Sequence, residues 1–186
     1  MRDVIRCPWC MGSEEYQRYH DEEWGKPLHD ESKHFEMLML ETMQAGLSWH
    51  TILKKREGFR QAFAGFDAKK ITQFSATDVE RLMSNPNIIR HRGKISATIS
   101  NAKAFLDIQN IFGGYDAYIW HFTQGKVIDT AWTDMGDIPT RSVLSDTIAK
   151  DLKKRGFKFV GSTTIYAYLQ AIGVLNDHLV TCWKRN

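Results

Sequence analysis

The stretch from Phe35 to Trp49, FEMLMLETMQAGLSW, constrains the fold of this chain more than any other. It is apolar on nearly every helical face, and a helix of that kind belongs inside a protein. One carboxylate, Glu41, lies in the middle of it. Burying a carboxylate is costly unless it is paired, hydrogen-bonded or neutralised. We therefore expect a buried central helix in which Glu41 either bonds to backbone or awaits a ligand.

The composition leaves room for one sizeable hydrophobic core, which could be divided into two lobes. The chain has 186 residues, 42% of them hydrophobic, and a formal net charge of +3 that suits a polyanionic partner without requiring one. No apolar run approaches the roughly 18 residues of a membrane span, and the N-terminus lacks the apolar segment of a signal peptide. Three cysteines, an odd number, argue against a disulfide framework. We expect a soluble cytoplasmic protein that does not contact a membrane.

The rest of the pattern is almost entirely helical. Apolar residues recur at helical spacing at Ile95, Ile99, Ala102 and Leu106. Thr77 with Glu80 predicts a capping box, and Ser145 is predicted to cap the helix in SDTIAKDLKKRG. STTIYAYLQAIG predicts a helix ending at Gly173, and NDHLVTCW predicts the start of another. Only FKFVG and GKVIDT suggest short extended segments, so the predicted fold class is all-α.

Two pairs of metal-binding side chains lie at opposite ends of the chain. Cys7 and His20 are near the start, whereas His178 and Cys182 are near the end and four residues apart, which on a helix would place both on one face. Two cysteines and two histidines make a complete tetrahedral zinc set, and a filled set indicates a structural ion. Cys10 could replace His20 in such a set, and the thiols could also be ordinary buried apolar groups. Spacing leaves these alternatives open.

A basic connection, SNPNIIRHRGK, separates two predicted helices. Pro86 ends the first helix, Ile88 and Ile89 are apolar anchors, and Gly93 is expected to permit a tight turn. The surrounding basic side chains are Arg90, His91, Arg92 and Lys94. Backbone N–H groups at a helix start, flanked by cations, form a natural phosphate site. Taken alone, however, the segment is more simply a solvated connection.

Taken together, these segments resemble a known family. The chain is similar to the DNA-3-methyladenine glycosylase I family of the helix-hairpin-helix DNA glycosylase superfamily. The motifs that carry the resemblance are RCPW, YHDEEWG, HFEML, ETMQAGLSW, LKKRE, NIIRHRGKI, LKKRGFKFVG and NDH with its following cysteine. The resemblance implies an all-α helix-hairpin-helix glycosylase fold, with residues 1–186 forming one compact domain that has room for two lobes and a lesion pocket between them. It also implies a bacterial, nucleoid-associated monomer that binds double-stranded DNA carrying alkylated bases. The implied reaction flips out 3-methyladenine and hydrolyses its N-glycosidic bond, leaving an abasic site without a lyase step.

The resemblance further implies roles for individual residues. One structural zinc would be held at the positions Cys7, His20, His178 and Cys182, which leaves out Cys10. The flipped base would hydrogen-bond to Glu41, with Gln44 on the same helical face. Aromatic pocket residues would be Trp9, Tyr16, Tyr19 and Trp49, whereas Trp24 and Trp120 are expected in the core. DNA contacts would come from Ile89, Arg90, Arg92, Gly93 and Lys94, the last as a phosphate contact. Related glycosylases use an aspartate, for which Asp107 and Asp116 are weak candidates here.

Two alternatives remain at this stage. A non-catalytic, zinc-stabilised helix-hairpin-helix module would bind DNA, but it gives no reason for the carboxylate of Glu41. A zinc hydrolase of small substrates would need an open coordination position, and four protein ligands argue against one.

Overall fold

Residues 4–185, which the computed structural model describes, form ten α-helices and two very short strands. The helices are α1 Glu14–Glu22, α2 Glu31–Gln44, α3 Trp49–Lys54, α4 Arg56–Ala62, α5 Ala68–Ile71, α6 Ala76–Met83, α7 Arg92–Phe112, α8 Tyr115–His121, α9 Val143–Lys154 and α10 Ser162–Ala171. Short 3-10 turns lie at Pro8–Cys10, Ala64–Phe66, Met135–Asp137 and Trp183–Arg185. Strands β1 Ile128–Asp129 and β2 Leu175–Asn176 pair in parallel. The all-α prediction is confirmed; GKVIDT contains β1 as expected, whereas FKFVG contains no strand.

Helix α2 lies at the centre of the molecule. Every residue from His34 to Met43 is buried, and the helix packs against α7 and α10. Asp30 caps its start by accepting a hydrogen bond from the Lys33 backbone N–H at 3.0 Å. The helix ends at Gln44, where Ala45 leaves helical geometry. The apolar stretch from Phe35 to Trp49 is therefore a buried helix followed by a loop. Its apolar residues continue beyond Gln44, where the helix ends.

Helices α6 and α7 are joined by residues 84–91, a connection that we call the hairpin. Ile88 is buried and anchors the connection in the core, while Ile89 is half-buried. Helix α7 contains the stretch from Ile95 to Leu106 that the apolar spacing predicted as helical, runs for 21 residues in all, and ends at Gly113 with φ +77°. A side chain rarely adopts that left-handed conformation, so glycine is the favoured residue at this helix end.

The helix start predicted at Thr77 was wrong. Ser75 caps α6 instead, and its side chain accepts from the Asp78 N–H while the Asp78 carboxylate accepts from the Ser75 N–H. An N-cap residue has an extended backbone conformation, and Ser75 adopts one, with ψ 179°. The correct capping box is thus one that begins two residues earlier and uses aspartate in place of Glu80.

Two expectations for the C-terminal half were also wrong. Ser142, not Ser145, caps α9, and Ser145 lies three residues inside the helix as the reciprocal partner. NDHLVTCW does not form a helix, because its start pairs as β2 and the chain then passes through an irregular turn. His178 and Cys182 consequently approach each other through that turn and not through a shared helical face.

A single apolar cluster runs from Cys7 through the helices to Cys182. Trp120 belongs to it as predicted, and its indole N–H donates to the Leu28 carbonyl at 2.9 Å. Within residues 4–185, none of the helices combines the length and the apolar character needed to cross a membrane.

Candidate active site and metal site

A cavity of about 180 Å³ lies where the N-terminal segment, α2, α3 and α10 meet. Its walls are Trp9, Tyr16, Tyr19, Trp24, Glu41, Gln44, Trp49, Met135, Ile138, Ala167 and Gln170. All six pocket residues named from the sequence are among them. Glu41 is a carboxylate surrounded mainly by aromatic and apolar groups, which is an uncommon setting for an acid.

Several separate segments deliver these side chains. Tyr16 and Tyr19 are three residues apart on α1 and so share a face. Glu41 and Gln44 have the same spacing in the last turn of α2. Trp49 begins α3 and reaches the cavity through the loop that precedes it, so the expectation that it continues the α2 helix was wrong. The cavity is thus a product of tertiary packing and not of one helix.

The aromatic walls are held by edge-to-face and tilted packing. Trp9 packs against Tyr16 with ring centroids 5.0 Å apart and against Trp24 at 4.9 Å, and Tyr19 lies 5.5 Å from Trp49. Such offset arrangements are the favoured geometry for aromatic pairs. Trp24 was expected only in the core; it is buried, but one side of it also faces the cavity.

Glu41 has no countercharge of its own. Its side chain is only 4% exposed, and its Oε2 atom has no hydrogen-bond partner among the described residues. Burial raises the pKa of the Glu41 carboxyl to about 8, and no neighbouring cation within residues 4–185 opposes the shift. The Trp49 indole N–H beside the cavity is also buried without a partner in residues 4–185. An acceptor and a donor therefore remain available for a polar ligand.

Neither aspartate suggested from the sequence lines the cavity. Asp107 is exposed on α7. Asp116 accepts hydrogen bonds from His29 and His34, both at 3.0 Å, on another part of the molecule. Among the described residues that line the cavity, Glu41 is the carboxylate.

A buried carboxylate that the sequence analysis missed supports the far wall of the cavity. Asp177 is fully buried and accepts four hydrogen bonds, from Thr130 Oγ1, Trp132 Nε1, Tyr166 OH and Gln170 Nε2, at distances of 2.7–3.1 Å. It thereby fixes Gln170 and the loop that continues to Met135 and Ile138. No local pattern predicts this arrangement, because its donors come from two separate segments, residues 130–132 and helix α10.

The four predicted metal-binding residues converge in one buried cluster. The ligand atoms of Cys7, His20, His178 and Cys182 all lie within 4.8 Å of one another. Cys182 Sγ is 3.4 Å from His20 Nε2 and 3.5 Å from His178 Nδ1, and Cys7 Sγ is 3.8 Å from His178 Nδ1. A tetrahedral ion with bonds of about 2.0–2.3 Å would separate its ligands by roughly 3.3–3.8 Å. The cluster can therefore hold a metal ion.

The histidines of the cluster are also oriented for ligation. His20 Nδ1 hydrogen-bonds to the Asp21 carboxylate at 2.8 Å, and His178 Nε2 hydrogen-bonds to the Trp24 carbonyl at 3.2 Å. Each ring is thus held by one nitrogen while the other faces the cluster, an arrangement common around bound metals. Burial lowers the pKa of His20, and burial together with His20 lowers that of His178 to about 4. Both rings are neutral at pH 7, as ligation requires.

Cys10 lies outside this cluster although it is fully buried. Its thiol donates to the Cys7 carbonyl at 3.1 Å and stabilises the Pro8–Cys10 turn. The alternative metal set that includes Cys10 in place of His20 is therefore not the one that the fold assembles.

Gly25 shows how tightly the cluster is enclosed, because a Cβ at that position would lie 2.7 Å from His178 Nε2.

The basic hairpin is exposed at its tip but differs from expectation in two places. Arg90 is exposed, and Arg92 is exposed but forms a bidentate ion pair with Glu80 at 2.6 and 2.8 Å. Gly93 does not form a turn; it lies in the first turn of α7, where a Cβ would meet the His91 ring at 3.1 Å. A side chain there would press on the His91 ring, which caps the helix by accepting the Lys94 N–H.

Lys94 is a further correction. It was expected to contact phosphate, but its side chain is only 5% exposed, and its ammonium donates to the carbonyls of Met43 and Ala45, both at 2.8 Å. Burial lowers the pKa of Lys94. The ammonium points inward because the unsatisfied carbonyls at the end of α2 accept its hydrogen bonds.

These features define a class of protein: a helical protein with a basic hairpin between two helices, an aromatic cavity containing one carboxylate, and a Cys/His cluster behind it. The family model described as methyladenine glycosylase matches residues 9–185. The chain belongs to that family.

Named relatives and a solved structure agree with this assignment. A DNA-3-methyladenine glycosylase of Haemophilus influenzae is 46% identical over 179 residues, covering 96% of this chain and 97% of the relative. DNA-3-methyladenine glycosylase 1 of Escherichia coli is 48% identical over 177 residues, covering 95% of each. A Staphylococcus aureus 3-methyladenine DNA glycosylase I, solved to explain 3-methyladenine recognition, is 38% identical with a TM-score of 0.94, covering 97% of this chain and 96% of that one.

Proposed function

We propose that this protein is a DNA-repair glycosylase that removes 3-methyladenine from DNA by hydrolysing its N-glycosidic bond. The observation that carries the proposal is the Glu41 carboxylate, buried and unpartnered in an aromatic cavity. The relatives named above carry the same activity in their descriptions. A DNA-binding module without catalysis would have no use for such an acid.

The cavity is suited to a cationic base. Adenine methylated at N3 in DNA carries a positive charge, whereas normal adenine is neutral. Aromatic faces attract cations, and a carboxylate in a poorly solvated site strengthens that preference. When the cavity is empty, Glu41 avoids the cost of a buried charge by retaining its proton near pH 7, because its pKa is about 8. Arrival of the cation favours the ionised form, so charge recognition and loss of this proton are coupled.

The base must leave the double helix to reach this cavity. Glycosylases extrude the target nucleotide and read it in a pocket, at an unstacking cost of a few kcal/mol that is smallest for damaged bases. A base already cationic is a good leaving group, so binding and extrusion can supply much of the catalysis. The Lys94 amine is bound to two carbonyls, which agrees with a reaction that stops at the abasic site without a lyase step.

The activity can be tested directly on methylated duplex DNA. The amount of 3-methyladenine released should rise with the concentration of purified protein and reach a plateau. The DNA should then contain alkali-sensitive abasic sites, and the protein should not cleave the strand itself. Chromatography of the released bases identifies the product and also shows whether 3-methylguanine is accepted. Tight DNA binding without any released base would favour the non-catalytic alternative.

The hairpin is the proposed contact with the DNA backbone. Backbone N–H groups in the first turn of a helix favour phosphate, and in α7 those of Arg92 and Gly93 come before the Lys94 N–H that the His91 ring accepts. Arg90 is exposed and forms no ion pair within residues 4–185. Arg92 could contribute by exchanging Glu80 for a phosphate, and Ile89 supports the segment from the side of the core.

We expect Arg90→Glu to weaken binding to every DNA sequence alike, because phosphate contacts carry no base information. The slope of log affinity against log salt should fall by about 1 when one phosphate contact is lost. Gly93→Val should weaken binding as well, because its side chain would press on the His91 ring that caps α7. The matched control is Lys150→Glu, which makes the same change of charge on exposed α9 beside Phe112, at the opposite end of α7. Equal DNA affinity and salt slope for Arg90→Glu and the parent would exclude the hairpin from the interface.

We propose zinc as the metal of the cluster, at one structural ion per chain. The support is the donor set, because two thiolates and two imidazoles in tetrahedral reach are typical of closed zinc sites. We further propose that residues 1–186 act as one domain and as a monomer in the bacterial cytoplasm, associated with the nucleoid through DNA. The continuous apolar cluster from Cys7 to Cys182 supports the single domain.

A further inference from the structure

Lys94 connects two regions that the proposed function uses together. It is the third residue of α7, directly after the basic hairpin, and its backbone N–H donates to the capping His91 ring at 3.1 Å. Its side chain passes inward to the carbonyls of Met43 and Ala45. Those carbonyls close the end of α2 that carries Glu41. One side chain therefore joins the hairpin helix to the pocket helix.

The two hydrogen bonds determine where the pocket helix stops. The last carbonyls of a helix lack intrahelical donors, and the negative end of the helix dipole favours a cation. Ala45 leaves the helix with ψ 116°, and Gly46 then turns the chain with φ +83° before Trp49 begins α3. Fixing the Ala45 carbonyl thus fixes the origin of the loop that brings Trp49 to the cavity.

We propose that Lys94 is a positioning residue that locks the hairpin to the segment from Gln44 to Trp49. Contact with the DNA backbone and capture of the extruded base are then held in one fixed geometry. This inference rests on the proposed function, since it assumes that the hairpin contacts DNA and that the cavity receives the base. The buried ammonium is retained because it satisfies the carbonyl of buried Met43, which would otherwise lack a donor, and it also binds the carbonyl of exposed Ala45.

The test is Lys94→Met, which keeps the apolar length of the side chain and removes its donors. We would measure single-turnover release of 3-methyladenine from methylated duplex at saturating protein, and affinity for undamaged duplex over a range of salt. The release rate should fall on the order of a hundredfold, because a displacement of about 1 Å can cost that much. Affinity and its salt slope should stay at the parental values. A lysine that merely contacts phosphate predicts the opposite: a smaller slope and an unchanged saturated rate.

Three variants control for general effects. Lys103→Met makes the same change at an exposed position of α7 and should behave as the parent. Ile108→Ala destabilises the same helix from a fully buried position. Lys94→Arg retains a cation and should recover part of the rate lost in Lys94→Met.

The inference is overturned if Lys94→Met keeps the parental rate, if Lys94→Arg recovers nothing, or if Ile108→Ala loses as much rate for the same loss of stability. A parent protein that releases no 3-methyladenine would overturn the proposed function instead. The two failures are therefore distinguishable in the same set of measurements.

Discussion

Glu41→Gln should fold normally, still bind DNA and lose most excision of 3-methyladenine. Glutamine keeps the shape and much of the hydrogen bonding of glutamate but cannot become an anion. A hydrogen bond to a charged group contributes about 1.5–3 kcal/mol, so the single-turnover rate should fall roughly 10- to 150-fold. Release of base from methylated duplex, measured with protein in excess, gives this rate directly.

The pH dependence of stability provides an independent measurement on the same variant. The folded pKa of Glu41, about 8, lies above its ordinary value of 4.5, so its stabilising contribution is complete below about pH 4.5 and is lost as pH rises toward 8. Each pH unit between those values should cost the parent about 1.4 kcal/mol that Glu41→Gln does not lose. The variant should therefore gain stability relative to the parent from pH 5 to pH 8 in denaturant titrations.

These two measurements separate recognition from a structural role. If Glu41 only supported the fold, Glu41→Gln would be less stable at every pH and fully active per folded molecule. Gln44→Glu is not a suitable control, because it adds a second acid to the cavity. The better control is Glu57→Gln, which removes an exposed carboxylate from α4 and should change neither quantity. Full excision by stably folded Glu41→Gln would refute charge recognition.

Cys182→Ser should lose the metal ion and a large part of the folding free energy. A serine hydroxyl is a poor substitute for thiolate, and three ligands do not complete a closed tetrahedral zinc site. Loss of a structural metal is among the changes that cost 4–5 kcal/mol or more. Elemental analysis of the purified protein and its melting temperature measure the two effects.

The lost metal should also disturb the cavity. Cys7 and His20 bracket the segment that supplies Trp9, Tyr16 and Tyr19, and Trp9 packs on His20 with ring centroids 5.3 Å apart. Untying that segment from the C-terminal turn should therefore weaken capture of the base as well as the fold.

Cys10→Ser is the matched control for the metal prediction. Cys10 is equally buried, but a serine hydroxyl can still donate to the Cys7 carbonyl that the thiol now contacts. This variant should keep about one zinc per chain and nearly the parental melting temperature. Zinc lost from Cys10→Ser and retained by His20→Ala would overturn the proposed ligand set.

The sequence by itself determined that α2 is a buried helix and that Glu41 is an acidic residue in an apolar part of it. An apolar pattern on every helical face has one stable location, and the acid within the apolar run MLMLETMQAGL is conspicuous without any structure. The long helix α7 followed equally from its apolar period. The family resemblance, carried by long motifs, then added the pocket aromatics and the metal ligands, and the structure brings these side chains together.

Tertiary structure decided the features that depend on distant partners. Lys94 is one of four cationic or titratable residues around the hairpin, and only the packing of α7 against α2 turns its ammonium toward two carbonyls. Asp177 accepts hydrogen bonds from donors in two separate segments, and His178 meets Cys182 through an irregular turn where a helix was predicted. Periodicity reports which face of an element is buried, whereas the partner of a buried polar group is set by the elements packed against it.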